Sequence, residues 1–167
     1  MLISKPRSRR LRSTDCLKDK MNKRIEELLA EDGIYVSTTS GVSMMPMLRD
    51  RRDTIVITPA AERLKKYDVV LYRRGDDYLL HRVVKVLPDS YIICGDNCIT
   101  LEKGITDAQV IGKLTEVRRG EKALRLDGFR YGLYCRYIVA TFYPRRAFRR
   151  VKGAVYSAAK KLFGRKK

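Results

Sequence analysis

Hydrophobic positions along this chain change their period twice. In "DKMNKRIEELLAEDG", Met21, Ile25, Leu28 and Leu29 recur at helical spacing and stop at Gly33, which predicts a short amphipathic helix over 20–33. From residue 34 to 117 the apolar residues come instead in short β-branched runs: "IYVST", "TIVIT", "DVVLYR", "YLLHRVVKV", "SYIIC" and "VIGKLTEV". Turns rich in charge, Gly, Asp or Pro separate them, and no helical pattern alternates with them. The expectation is a mainly β, coiled antiparallel domain over 34–117. The helical period returns in "PRRAFRRVKGAVYSAAKKLF", where Phe148, Val151, Val155, Ala158 and Leu162 form one stripe behind Pro144, a good first-turn residue. Residues 118–167 are therefore expected to form a helical extension with one or two basic amphipathic helices. Residues 1–19 read as a basic mobile arm.

Charge separates these regions further. The chain of 167 residues carries a formal +18. Residues 1–24 hold nine Lys/Arg against Asp15 and Asp19, and residues 118–167 hold sixteen against Glu121 and Asp127. The stretch between them is mildly acidic, with 12 basic and 15 acidic residues. Basic arms of this kind attract polyanions such as nucleic acid, an anionic membrane surface or an acidic partner. The C-terminal helix has two open readings: it lies on anionic lipid, or its stripe packs on the β-domain.

Cys16, Cys94, Cys98 and Cys135 are irregularly spaced and do not outline a disulfide framework. Cys94-x-x-x-Cys98 lacks the further histidines and thiols a zinc site needs, so neither metal nor cofactor is expected. No apolar run is long enough to span a bilayer, and the N-terminus lacks the apolar core of a secretory signal. The chain is expected in the cytoplasm, with peripheral contact at the inner face of the membrane left open.

One turn stands apart chemically. "TTSGVSMMPMLRD", residues 38–50, sets Ser43 between Gly41-Val42 and the run Met44-Met45-Pro46. A serine hydroxyl attacks a peptide only with a base in reach and donors aimed at the developing oxyanion. Small residues before Ser43 let the main chain approach a substrate, Pro46 stiffens the turn, and the methionines offer an adaptable apolar wall. The chain has a single imidazole, His81, in "YLLHRVVKV", which is largely neutral at cytosolic pH. Strand alternation puts Leu79, His81 and Val83 on one face, and Leu80, Arg82 and Val84 on the other.

These segments together resemble the type I signal peptidases. "SGVSMMPML" is similar to their nucleophile box, "RRDTIVI" to the strand after it and "LKKYDVVLYRR" to the next box. "LLHRVVKV" resembles the general-base box and "CGDN" the Gly-Asp-Asn box, all in order. The resemblance covers roughly residues 34–117 and implies a coiled β-domain of the signal-peptidase catalytic type. It further implies a serine endopeptidase cleaving a signal or leader peptide from a pre-protein. In that family the base box holds lysine in the common bacterial enzymes. It holds histidine in the branch typical of archaea, the endoplasmic reticulum and some spore-forming bacteria.

By resemblance, then, Ser43 is the nucleophile and His81 the general base. The acid assisting the histidine usually lies several residues after the Gly-Asp-Asn box, where this chain has Glu102 in "CITLEKG". Asp96, inside the box, is the second candidate. Gly41 occupies the place of a serine whose hydroxyl usually helps the oxyanion hole, which leaves the Ser43 N–H as the one donor the resemblance names. Gly41, Val42, Met44, Met45 and Pro46 are the implied substrate contacts. Two alternatives stay open. One is a self-cleaving relative of the SOS-type repressors that binds nucleic acid, which the lack of room for a DNA-binding domain before residue 34 disfavours. The other is a binding protein that kept the scaffold and lost catalysis.

Overall fold

A computed structural model describes residues 24–163, with side chains described as far as Tyr156. The expected basic arm over 1–19, the start of the first helix with Met21, and the side chains of Ala158 and Leu162 lie outside the described residues.

Helix α1 spans Ile25–Asp32 and ends at Gly33. Eight strands follow: β1 (Tyr35–Thr38), β2 (Asp53–Thr58), β3 (Val69–Arg74), β4 (Asp77–Val86), β5 (Tyr91–Cys94), β6 (Glu102–Ile105), β7 (Val110–Arg119) and β8 (Lys122–Leu124). Two helices close the chain, α2 (Phe129–Ala140) and α3 (Phe142–Phe163). Every strand pair is antiparallel, in the order β1-β2-β7-β3-β4-β5-β6, with β8 added to β7. The expected class, a mainly antiparallel β-domain with one short early helix and helices at the C-terminus, is what the chain adopts.

The six anticipated apolar runs all fall on strands. The alternation did not foresee β6 and β8. "EKGI" is largely polar, and "KAL" is three residues paired to β7 through Val117↔Leu124. The sheet thus runs past residue 117 to Leu124.

Strand β3 shows how the core is divided. Its residues Val69 to Tyr72 are all buried, because both faces of this central strand are covered. Val69 and Leu71 join Leu29, Met44, Met47, Leu48, Ile55, Ile57, Leu114 and Val117 in one cluster. Val70 and Tyr72 join Leu64, Val83, Tyr91, Ile93 and Ile105 in the other. The apolar part of the serine turn is therefore an anchor: Met44, Met47 and Leu48 are core residues that fix the loop carrying Ser43.

Candidate functional site

Ser43 lies, half-buried, in the long turn between β1 and β2. Its neighbours hold it from both sides. Gly41 donates its N–H to Asp50 Oδ1 at 2.7 Å and has φ 91°, a left-handed conformation that L side chains rarely adopt. A serine at position 41 would be strained. Further on, Thr39 Oγ1 donates to the Arg49 carbonyl at 2.5 Å and closes the base of the turn.

A second turn, Gly95-Asp96-Asn97 after β5, is stitched to the first. The Asn97 N–H donates to the Ser43 carbonyl at 2.8 Å, and Asn97 Nδ2 donates to the Val42 carbonyl at 3.2 Å. Gly95 sits at the closest point of approach. A Cβ built on it would lie 2.6 Å from the Ser43 carbonyl oxygen, 2.7 Å from Cys98 Sγ and 3.0 Å from Cδ2 of His81. The Ser43 main-chain carbonyl and one edge of the imidazole therefore flank a residue that has no room for a side chain. Among the described residues there is no direct hydrogen bond between the Ser43 hydroxyl and His81, and such contacts commonly tighten only when substrate is bound.

His81 comes from β4 and is buried. Its Nδ1 has two polar neighbours, the Tyr72 hydroxyl at 3.0 Å and Glu102 Oε1 at 3.2 Å. A carboxylate beside Nδ1 favours the tautomer that carries the proton there, because it would repel a bare nitrogen lone pair. Tyr72 then serves Glu102 as a donor, and burial together with that carboxylate pushes the Tyr72 phenol well above its usual range. In this tautomer Nε2, next to Cδ2 on the Gly95 edge of the ring, is free to accept a proton. Burial holds the His81 pKa below its ordinary value, with Glu102 acting in the opposite direction. Glu102 is itself tied to Arg74 Nη1 at 3.1 Å.

Asp96 is placed differently. Its two oxygens accept from Arg82 Nε and Nη2, both at 2.7 Å, and Oδ2 also accepts from the Tyr134 hydroxyl at 2.9 Å. Of the two carboxylates weighed from sequence, Glu102 is the one beside the histidine, and Asp96 belongs to Arg82. That arginine is fully buried on the opposite face of β4 from His81. It also donates to the Tyr67 carbonyl, the Tyr131 hydroxyl, Cys135 Sγ and Met47 Sδ. Burial alone would lower its pKa, but the hydrogen bonds and charge of Asp96 outweigh this and raise it. The pair thus clamps the serine turn, the Asp96 turn and helix α2 together.

The C-terminal helices reach the same place. Arg145 Nη1 donates to the Asp96 carbonyl at 2.6 Å, and Arg149 donates to the Asn97 carbonyl at 2.7 Å and to Asn97 Oδ1 at 2.6 Å. Sequence reasoning treated this region as an extension outside the site, and it also missed Tyr72 and Arg82. Each left a signal. A charged Arg82 inside an apolar strand needs a counter-ion, and the two-residue turn in "RRGDD" sets a β3–β4 register in which Tyr72 stands diagonal to His81.

A cleft of about 210 Å³ opens beside Ser43. It is lined by Tyr35, Ser37 and Thr38 of β1, which among the described residues pairs only with β2, by Thr39, Ser40, Gly41, Ser43 and Met44 of the turn, and by Tyr78, Leu79 and Leu80 of β4. Residues of β1 and β4 share this cleft although they are well separated in the strand order, so the sheet curls to bring them together. Of the expected substrate contacts, Gly41 and Met44 line the cleft, whereas Val42, Met45 and Pro46 are exposed outside it. Among the described residues no group of three His, Cys, Asp or Glu side chains is placed to hold a metal ion, and no helix is long and apolar enough to cross a membrane. Compared with known proteins, the chain matches no family model and no curated protein.

Proposed function

We propose that this chain is a serine endopeptidase of the signal-peptidase type, working through Ser43 and His81 on a signal or leader peptide. The observation that carries the reading is the meeting of the Ser43 turn and the His81 ring at Gly95, with Glu102 3.2 Å from the far nitrogen of that ring. The order of boxes in the sequence supports the same assignment.

In this mechanism an extended peptide adds to the edge of β1 that no described strand pairs with, its side chains entering the cleft between β1 and β4. His81 Nε2 takes the proton as Ser43 Oγ attacks the scissile carbonyl, and the Ser43 N–H is the donor to the oxyanion. Collapse of the tetrahedral intermediate breaks the C–N bond, and His81 returns the proton to the departing amine. Water, deprotonated by the same imidazole, then hydrolyses the acyl-enzyme and regenerates the serine. Glu102 holds the tautomer and stabilises the imidazolium; Asp96 has a structural role with Arg82. The cleft's modest volume and the backbone-rich Ser40-Gly41 wall favour small side chains before the cut.

The lack of a direct Ser43–His81 hydrogen bond favours one second reading, a scaffold kept for binding without catalysis. A single experiment separates the two. Purified protein is incubated with a fluorogenic peptide library beside its Ser43→Ala and His81→Ala variants. Cleavage by the parent that both variants lose supports the peptidase; equal signal in all three, or none in the parent on any peptide, sinks it.

A further inference from the structure

Helices α2 and α3 meet at Thr141, whose N–H bonds to the Tyr137 carbonyl at 2.9 Å, while the Arg145 N–H bonds to the Thr141 carbonyl at 2.9 Å, so main-chain bonds tie both helices to the junction residue. On the inner face Tyr131, Tyr134, Cys135, Ile138, Phe142, Arg145 and Arg149 turn to the β-domain.

The opposite face is apolar. Phe129, Leu133 and Tyr137, four residues apart on α2, are followed on α3 by Tyr143, Phe148, Val151 and Val155, and each is more than half exposed. Arg130, Arg136, Arg150 and Lys152 are exposed on the same helices, and no Asp or Glu follows Asp127 in the chain. The alternative that the stripe packs on the β-domain is thus excluded for Phe148, Val151 and Val155. The domain side of α3 is taken by Arg145 and Arg149, which bond to the 96–97 turn.

We propose that this outer stripe is a docking surface for an anionic lipid bilayer, with the helix lying in the plane of the interface. An interfacial helix needs aromatic and aliphatic side chains along one line, to enter the acyl boundary, and cations beside them for the headgroups. Nucleic acid would be met by basic groups at the centre of the contact, and here the centre is apolar. A second copy of this chain would bring its own excess of positive charge against the same cations. Because the inner face of the same helix bonds to Asp96 and Asn97, docking sets the serine turn at a defined distance from the bilayer.

The test is flotation of the full-length protein with vesicles of phosphatidylglycerol and phosphatidylcholine, against phosphatidylcholine alone. Two variants keep every charge: Phe148→Ser with Val151→Ser, and, on the other helix, Leu133→Ser with Tyr137→Ser. All four positions are exposed, and circular dichroism checks that each variant is folded. The expected result is binding to the anionic vesicles only, weakened by salt, and reduced at least about tenfold by each pair. Failure of the parent to float overturns the proposal. So does flotation of both variants to the same extent as the parent, which assigns binding to the basic segments alone. A dimer that the variants dissolve, without lipid binding, overturns it in favour of self-association. No substrate is involved, so the result stands apart from that of the peptidase assay.

Discussion

Nδ1 of His81 lies 3.2 Å from the carboxylate of Glu102, on the side of the ring away from Gly95 and Ser43. This one contact decides which tautomer is present and which nitrogen is available to a substrate-bound serine. Burial depresses the imidazole's pKa and the carboxylate partly offsets that. General-base activity should therefore be full at neutral pH and fall as pH drops through a value below the ordinary ~6.5. The unfolded chain binds the proton more readily, so stability also declines once pH passes below about 6.5. Glu102→Gln removes the offset. It should shift the acid limb of kcat/KM to lower pH and reduce kcat at least about tenfold, because the imidazolium loses its counter-charge. An acid limb that moves upward, or an unchanged kcat, would remove Glu102 from the mechanism.

Gly95→Ala tests the contact on the other side of the ring. The added methyl would meet the Ser43 carbonyl at 2.6 Å, and a carbonyl held by the Asn97 N–H has little freedom to yield. We expect a loss of about 1–3 kcal/mol in urea melts, and a fall in kcat/KM larger than that stability loss explains. Wild-type activity in a folded Gly95→Ala protein would mean that Ser43 and His81 do not work together.

Asp96 and Glu102 should part company in stability. Removing one partner of the buried Arg82–Asp96 pair leaves an uncompensated charge, so Asp96→Ala and Arg82→Met should each cost about 3–5 kcal/mol. Glu102 is not fully buried and its other partner, Arg74, is half-exposed, so Glu102→Ala should cost less, about 1–3 kcal/mol for the donors it leaves unpaired. Chemical denaturation of the three variants gives the comparison directly. Equal costs for Asp96→Ala and Glu102→Ala would contradict it.

Arg149 reaches the site only through Asn97, whose N–H holds the Ser43 carbonyl. Arg149→Ala should leave the melting transition within about 0.5 kcal/mol of the parent, since the side chain is exposed. It should lower kcat several-fold with little change in KM, as expected for a residue that positions the turn without touching substrate. A KM effect alone would point instead to a direct role in binding.

Much of the fold was legible in the primary structure, and the reasons are local. Strands β2 to β5 alternate β-branched and aromatic residues between clear turns, and α1 stops at a glycine with φ 70°. Ser43 stood out because Gly41 and Pro46 frame it, and His81 because it is the sole imidazole. Strand β8 escaped notice because three residues carry no period; pairing to β7 alone makes them a strand. The methionines of this turn read as an adaptable apolar wall until the packing revealed Met44 and Met47, with Leu48, as core residues.

What the amino-acid order determined by itself was periodicity and composition: a β-domain between basic arms, one candidate nucleophile, one candidate base and an amphipathic C-terminal helix. Which carboxylate serves the histidine was decided only by the tertiary structure. Successive residues of β4 point to opposite faces, so Arg82 must find its counter-ion on the side away from His81, and Asp96 is the acid that reaches it. Glu102, on β6, then comes beside His81 because β5 pairs with β4 on one edge and with β6 on the other. The direction of the C-terminal stripe was settled in the same way. Helical spacing defines an apolar face, but hydrogen bonds from Arg145 and Arg149 to a turn more than forty residues away determine that it looks outward.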